Sequence, residues 1–143
     1  MRTQAREVAF RILFQKDLRG KKVGEILPLI KIPRVWDEKT ISFFLQLTKG
    51  LEEKLEEVDR ALAESIEGWS LARLASVDRN ILRIATYEIL FLPEIPVTVA
   101  INEAVELGKR YGTEESGKFI NGVLGRLLKK IENDREKGMN NGH

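Results

Sequence analysis

Cysteine is absent from this 143-residue sequence. That excludes a disulfide framework, a thiol nucleophile and a cysteine-based zinc site. Histidine is almost absent too: His143, the last residue, stands alone, and chain ends are usually poorly ordered. A histidine-based triad or metal cluster is therefore almost excluded. No apolar run approaches the roughly 20 residues of a transmembrane helix, and no signal-peptide pattern opens the chain. The expectation is a soluble cytoplasmic protein with no cofactor and no metal. Strand-like alternation of apolar and polar residues is missing as well.

What remains is a helical pattern over nearly the whole length. Hydrophobic residues make up 43% of the chain; a single domain of this size buries about 68–70% of its unfolded surface, enough for a core. The first helix is expected from Thr3 to Leu18, with Ala5, Val8, Ala9, Ile12 and Leu13 on the core face. Arg6, Phe10 and Phe14 form a ladder at four-residue steps along its flank. Gly20 and Gly24 bracket a connection, and a brief apolar helix, Ile26 to Ile30, is bounded by Pro33. Ile41, Phe44, Thr48, Leu51, Leu55, Val58 and Leu62 then recur at three- and four-residue steps, as one helix or as two meeting near Gly50. A dimeric coiled coil would use the same seam, but about three heptads containing a threonine favour packing within the chain. Trp69 and Ser70 mark a break. Ser76 is expected to cap a helix from Val77 to Leu92, apolar on most sides and so placed at the middle of the domain. Residues 132–143 read as a polar tail that frays, leaving 1–131 as the folded domain.

The densest information lies between Ile95 and Gly125. Val97, Ile101, Ala104, Val105, Gly108 and Tyr111 mark one face of a helix, with Pro96 upstream and Thr98 as its expected N-cap. Gly112 is expected to end the helix in the left-handed conformation. Gly117, Gly122 and Gly125 then fall inside a further helix, where each costs about 1 kcal/mol relative to alanine. Their presence predicts close approach of another backbone, at Gly122 in particular.

No residue pattern in the chain reads as catalytic. Glu103 and Glu106 lie three apart as paired carboxylates could, but with no histidine or further acid nearby a solvated face accounts for them better. Gly112 to Lys118 superficially resembles a phosphate-binding loop. Phe119 occupies the position of its hydroxyl residue, and a helix precedes it where a strand belongs. Enzyme activity is not expected. Binding is. Between Met1 and Lys22 seven basic residues face two acidic ones, and between Leu51 and Gly68 seven acidic residues face two basic ones. A basic helix on a chain of net charge +2 reads either as a local anion-binding surface or as a solvated face. Arg2, Arg6, Arg11, Lys16 and Lys118 could contact phosphates, and Phe14, Tyr111 and Phe119 could stack on unpaired bases or belong to the core.

Three segments together resemble the NusB family of bacterial transcription antitermination factors. They are A-R-E-V-A-F-R-I-L-F from Ala5, W-S-L-A-R-L-A-S-V-D-R-N-I-L-R-I-A-T-Y-E-I-L from Trp69, and A-I-N-E-A-V-E-L-G-K-R-Y-G with S-G-K-F-I-N-G-V-L beyond it. The likeness runs to about Lys130 in the family's order. It implies an all-α fold of about seven helices in two small, roughly perpendicular bundles. It also implies binding of boxA, a short single-stranded RNA element, within the RNA polymerase antitermination complex of ribosomal RNA operons. NusE, a protein of the small ribosomal subunit, is the implied partner. By position, the resemblance assigns RNA contact to Arg2, Arg6, Phe14, Tyr111, Glu115, Lys118 and Phe119, and partner contact to Asp78, Arg79 and Arg83. Ahead of A-R-E, where family members often carry a denser arginine run, this chain has Arg2, Thr3 and Gln4. Two other readings share the pattern: the RNA-substrate module of an RNA cytosine methyltransferase, disfavoured by the lack of a cofactor domain in 143 residues, and a homodimeric helical scaffold.

Overall fold

The computed structural model describes residues 1–68 and 70–141. Trp69, half of the expected break, and His143 lie outside the described residues. All regular elements described are helical, as the periodicity predicts. Helix α1 spans Arg2–Arg19, free of glycine and proline throughout. It stops at Gly20, whose φ of 64° is left-handed and whose N–H returns to the Lys16 carbonyl. Lys16 and Arg19 in its last turn complement the helix dipole. Ala5, Ala9, Phe10, Ile12 and Leu13 are buried. Phe10, expected on the flank, is thus a core residue, and Val8 is only partly buried.

The short helix α2, Val23–Ile26, runs into a 3₁₀ turn at Leu27–Leu29, in place of a single helix Ile26 to Ile30. Glu52 accepts the Val23 N–H at 2.9 Å. Helix α3, Glu38–Leu45, begins at Asp37, whose carboxylate accepts the Thr40 N–H at 2.9 Å and the Thr40 hydroxyl at 2.6 Å. A π-helical stretch, Gln46–Gly50, links it to α4, Leu51–Glu53, and α5 follows at Leu55–Ala63. The long seam is therefore continuous past Gly50 and breaks at Lys54. Phe44, Thr48, Leu51, Val58 and Leu62 on it are buried within the monomer, which is the packing the coiled-coil reading would have needed a second chain to supply.

Helix α6, Ser76–Phe91, is the central element, packed on α1, α5, α7 and α8. It begins one residue earlier than expected. Ser76 is not its cap; its hydroxyl instead donates to Asp17 on α1 at 2.9 Å. Helix α7, Val97–Tyr111, starts behind Pro96, whose extended backbone (φ −59°, ψ 136°) supplies the entry geometry, so Thr98 lies exposed in the first turn and caps nothing. Helix α8 spans Ser116–Asn141. It carries on into the expected tail as far as Asn141, exposed from Glu132 to Gly138. With α3 to α4 counted as one π-bulged helix, there are seven α-helical elements among the described residues. One group gathers α2 and α3 on α1, the other gathers α5, α7 and α8 on α6, and α1 packs on α6 to join them.

The glycines divide in a way the sequence did not foresee. Gly122 and Gly125 have open space where a side chain would begin, so the close approach expected at Gly122 is absent. It occurs at Gly108, where a Cβ would stand 3.5 Å from the backbone of Ser116 and Gly117 on α8 and 2.6 Å from Ile120 Cδ1, while Gly112 is crowded by its own turn. Gly112 is extended (φ −98°, ψ −158°), not left-handed. A Cβ there would fall 2.6 Å from Ser116 Cβ and 2.8 Å from the Gly108 carbonyl oxygen.

Candidate nucleic-acid interface

The exposed side of α1 meets the C-terminal end of α7. The Phe10 ring lies 5.9 Å from that of Phe14 and 5.1 Å from that of Tyr111, so three aromatics from two helices form one cluster. Phe14 and Tyr111, both singled out in the sequence, are half-buried in it. The Tyr111 hydroxyl donates to Glu7 and accepts from Arg11 at 3.1 Å. Glu7 also accepts from Arg11 at 3.1 Å and from Arg110 at 2.8 Å. The two guanidinium groups remain largely open to solvent, with side chains 59% and 63% exposed.

Beyond Tyr111 the loop 112–115 turns the chain into α8. The Thr113 N–H donates to the Ser116 side-chain oxygen at 3.0 Å, which ties the loop to the first residue of that helix. Glu115 and Lys118 are exposed and Phe119 is half-buried. Glu115, Phe119, Thr113 and Ser116 share a groove with Arg73, Leu74, Ala75 and Asp78. Asp78 in this groove has one carboxylate oxygen that is buried and unpaired. Residues assigned to RNA and a residue assigned to a protein partner thus line one depression. Arg2 stands apart from both clusters, its guanidinium 5.0 Å over the Phe43 ring.

Three of the assigned cations are engaged inside the molecule. Arg6 is 2% exposed and grips Glu88 with its NH2 group at 2.6 Å and its Nε at 3.0 Å to each oxygen, and Glu103 lies 3.6 Å from its NH1 group. It is a core ion pair, not a phosphate contact. Glu103 in turn accepts the Thr3 hydroxyl at 2.7 Å, so it faces α1 instead of lying on a solvated face. Arg79 holds Asp17 at 2.6 Å and donates to the carbonyls of Leu71, Ala72 and Leu74. Arg83 makes a two-point contact with Asp59 at 2.9 and 3.0 Å. Little of either arginine is open to a partner, and both serve to fasten α1 and α5 to α6.

Burial pushes the Asp17 carboxyl up, but hydrogen bonds from Arg79, Ser76 and Asn80 outweigh it and hold the group below its ordinary value. Burial pushes Glu88 above its ordinary value, and Arg6 offsets that only in part. Glu7 and Arg110 were not singled out in the sequence as site residues, and Phe10 appeared there only as a rung of the ladder on the first helix. Glu7 and Arg11 sit four apart on α1, a local signal of a pair, but nothing local brings α1 to a residue 104 positions away.

Fold and surface together define an all-α domain with a mixed cationic and aromatic face beside a groove. The sequence profile of the NusB family matches residues 3–129, and the chain belongs to that family. It is 46% identical to the transcription antitermination protein NusB of Desulfitobacterium hafniense, over 96% of this chain and 94% of that protein. To the protein of the same name from Pelotomaculum thermopropionicum it is 48% identical, over 94% and 93%. Among solved structures, T. maritima NusB superimposes with a TM-score of 0.83 at 43% identity, covering 90% of this chain and 91% of that one. Antitermination factors NusB and NusE in complex with dsRNA give a TM-score of 0.78 at 30% identity, covering 90% and 96%.

Proposed function

We propose that this chain is a transcription antitermination factor that binds boxA RNA together with NusE during transcription of ribosomal RNA operons, in the cytoplasm and as part of the RNA polymerase antitermination complex. The observation that carries this reading is the groove in which Asp78 of α6 meets Glu115 and Phe119. A protein seated at Asp78 would lie beside the RNA path, so the partner and the RNA could support each other's binding. The half-buried rings of Phe14, Tyr111 and Phe119 supply stacking surfaces. Lys118, Arg2, Arg11 and Arg110 supply exposed positive charge for phosphates, and Glu115 can accept from a base amine or a ribose hydroxyl. Antitermination proteins of nearly the same length, and a structural neighbour solved with NusE and dsRNA, support the assignment.

The test is RNA binding by fluorescence anisotropy across a salt series, with and without NusE. Lys118→Ala should weaken binding to boxA and to unrelated single-stranded RNA alike, and flatten the slope of log affinity against log salt by about 0.7. Tyr111→Ala should cost about 1–3 kcal/mol with the slope nearly unchanged. Asp78→Ala should weaken capture of NusE by more than it alters RNA binding by the isolated chain. Wild-type RNA affinity in folded Lys118→Ala and Tyr111→Ala, with undiminished NusE capture by the Asp78 variant, would place the surface elsewhere.

A further inference from the structure

We propose that Glu7 is a positioning residue of the RNA surface, holding Tyr111, Arg11 and Arg110 as one preset unit; this rests on the reading of that face as an RNA-binding surface. One carboxylate oxygen takes the Tyr111 hydroxyl and, at 3.1 Å, Arg11; the other takes Arg110 at 2.8 Å. Arg11 closes the ring by donating to the same tyrosine oxygen at 3.1 Å. The carboxylate is the inner member, with its side chain 19% exposed against 59% and 63% for the two arginines it organises. Tyr111 is thereby held at two points, by its hydroxyl at Glu7 and by its ring against Phe10 at 5.1 Å.

A carboxylate among cations repels phosphate, so it works against electrostatic affinity. Exposed ion pairs of this kind also add little to stability. Its effect on binding is preorganisation. Two arginines and a tyrosine that would otherwise lose side-chain freedom on meeting RNA have already lost it in the folded protein.

Charge and positioning are separated by a salt series with boxA RNA, each variant first shown folded by circular dichroism. Glu7→Ala should lower the affinity extrapolated to 1 M salt by about tenfold, the scale of holding one or two long side chains in advance. The slope against log salt should not flatten, because both arginines remain. Glu7→Gln, which keeps an acceptor for the tyrosine, should recover most of the loss. Tyr111→Phe should reproduce part of it, and the double variant should lose less than the sum of the two single losses, since only the Arg11 contact to the tyrosine oxygen is left for the second change to remove. Wild-type or tighter binding by Glu7→Ala at every salt concentration would overturn the proposal, reducing Glu7 to a surface ion pair. So would fully additive losses in the double variant. If Lys118→Ala and Tyr111→Ala retain wild-type binding as well, the RNA surface itself is misplaced and both readings fall; if those two lose affinity while Glu7→Ala does not, only the positioning role fails.

Discussion

Arg6 shows how one contact decides what a residue is for. At the edge of the apolar stripe of α1, an arginine can reach solvent or turn inward, because its long stem tolerates either. Glu88, fully buried on α6, draws it inward through three hydrogen bonds. The Phe43 ring lies 5.0 Å from its guanidinium carbon. A buried pair of this kind contributes little beyond what two apolar residues would, but removing one member strands the other charge. Glu88→Ala should therefore destabilise the fold by about 3–5 kcal/mol in urea denaturation. Pairing it with Arg6→Leu should recover part of that loss, since no fully buried charge is left unpaired; Glu103, the other neighbour of Arg6, still reaches solvent. Recovery by the double variant distinguishes a stranded charge from a simple cavity.

At the level of the helix, glycine means different things in α8 and at the end of α7. Gly122 and Gly125 contact nothing where a Cβ would stand. They cost helix stability with no compensating approach of backbone. Gly122→Ala and Gly125→Ala should each raise stability by up to about 1 kcal/mol. Gly112→Ala should do the opposite, because its Cβ would strike Ser116 Cβ and the Gly108 carbonyl oxygen, neither of which is the free end of a flexible chain. Overpacking of this sort costs about 1–3 kcal/mol. Thermal melts of the three variants give the ordering directly. Should Gly122→Ala prove destabilising, the α8 face at Gly122 must be covered by something outside this chain.

For the whole molecule, α6 is the post to which the other helices are fastened. Asp17 joins α1 to it through Arg79, Ser76 and Asn80, with Arg83 at 3.9 Å. Because these hydrogen bonds leave the Asp17 carboxyl below its ordinary value despite burial, the unfolded chain binds a proton more readily there. The stabilisation is then fully present above the unfolded value of about 4 and is lost as pH falls through the folded one. Glu88 has the opposite sign: its carboxyl is raised, so its own titration favours the fold at low pH and that contribution is lost as pH rises. Comparing wild type with Asp17→Asn isolates the first effect. The urea midpoints of the two should lie apart at neutral pH and converge below about pH 4. A gap that stays constant down to pH 2 would mean Asp17 acts through packing alone.

The all-α class, the central place of α6 and the packing of the long seam inside the monomer were all legible in the periodicity of apolar residues, since burial of a helix stripe is a local pattern. The family was legible in three motifs and their order. Side-chain partnership was not. Arg6 and Arg11 lie five positions apart on one basic helix and look alike in composition, yet one is sealed in the core and the other is open to solvent. The difference lies in a carboxylate 82 residues away from Arg6 and a tyrosine 100 residues away from Arg11. Arg79 and Arg83 were likewise turned inward by Asp17 and Asp59, which no spacing on α6 reveals. The sequence by itself determined which helices form and which family they build. Only the tertiary structure decided which charges remain free to meet RNA or a partner, because a buried charge is tolerated only where the fold delivers its counter-charge.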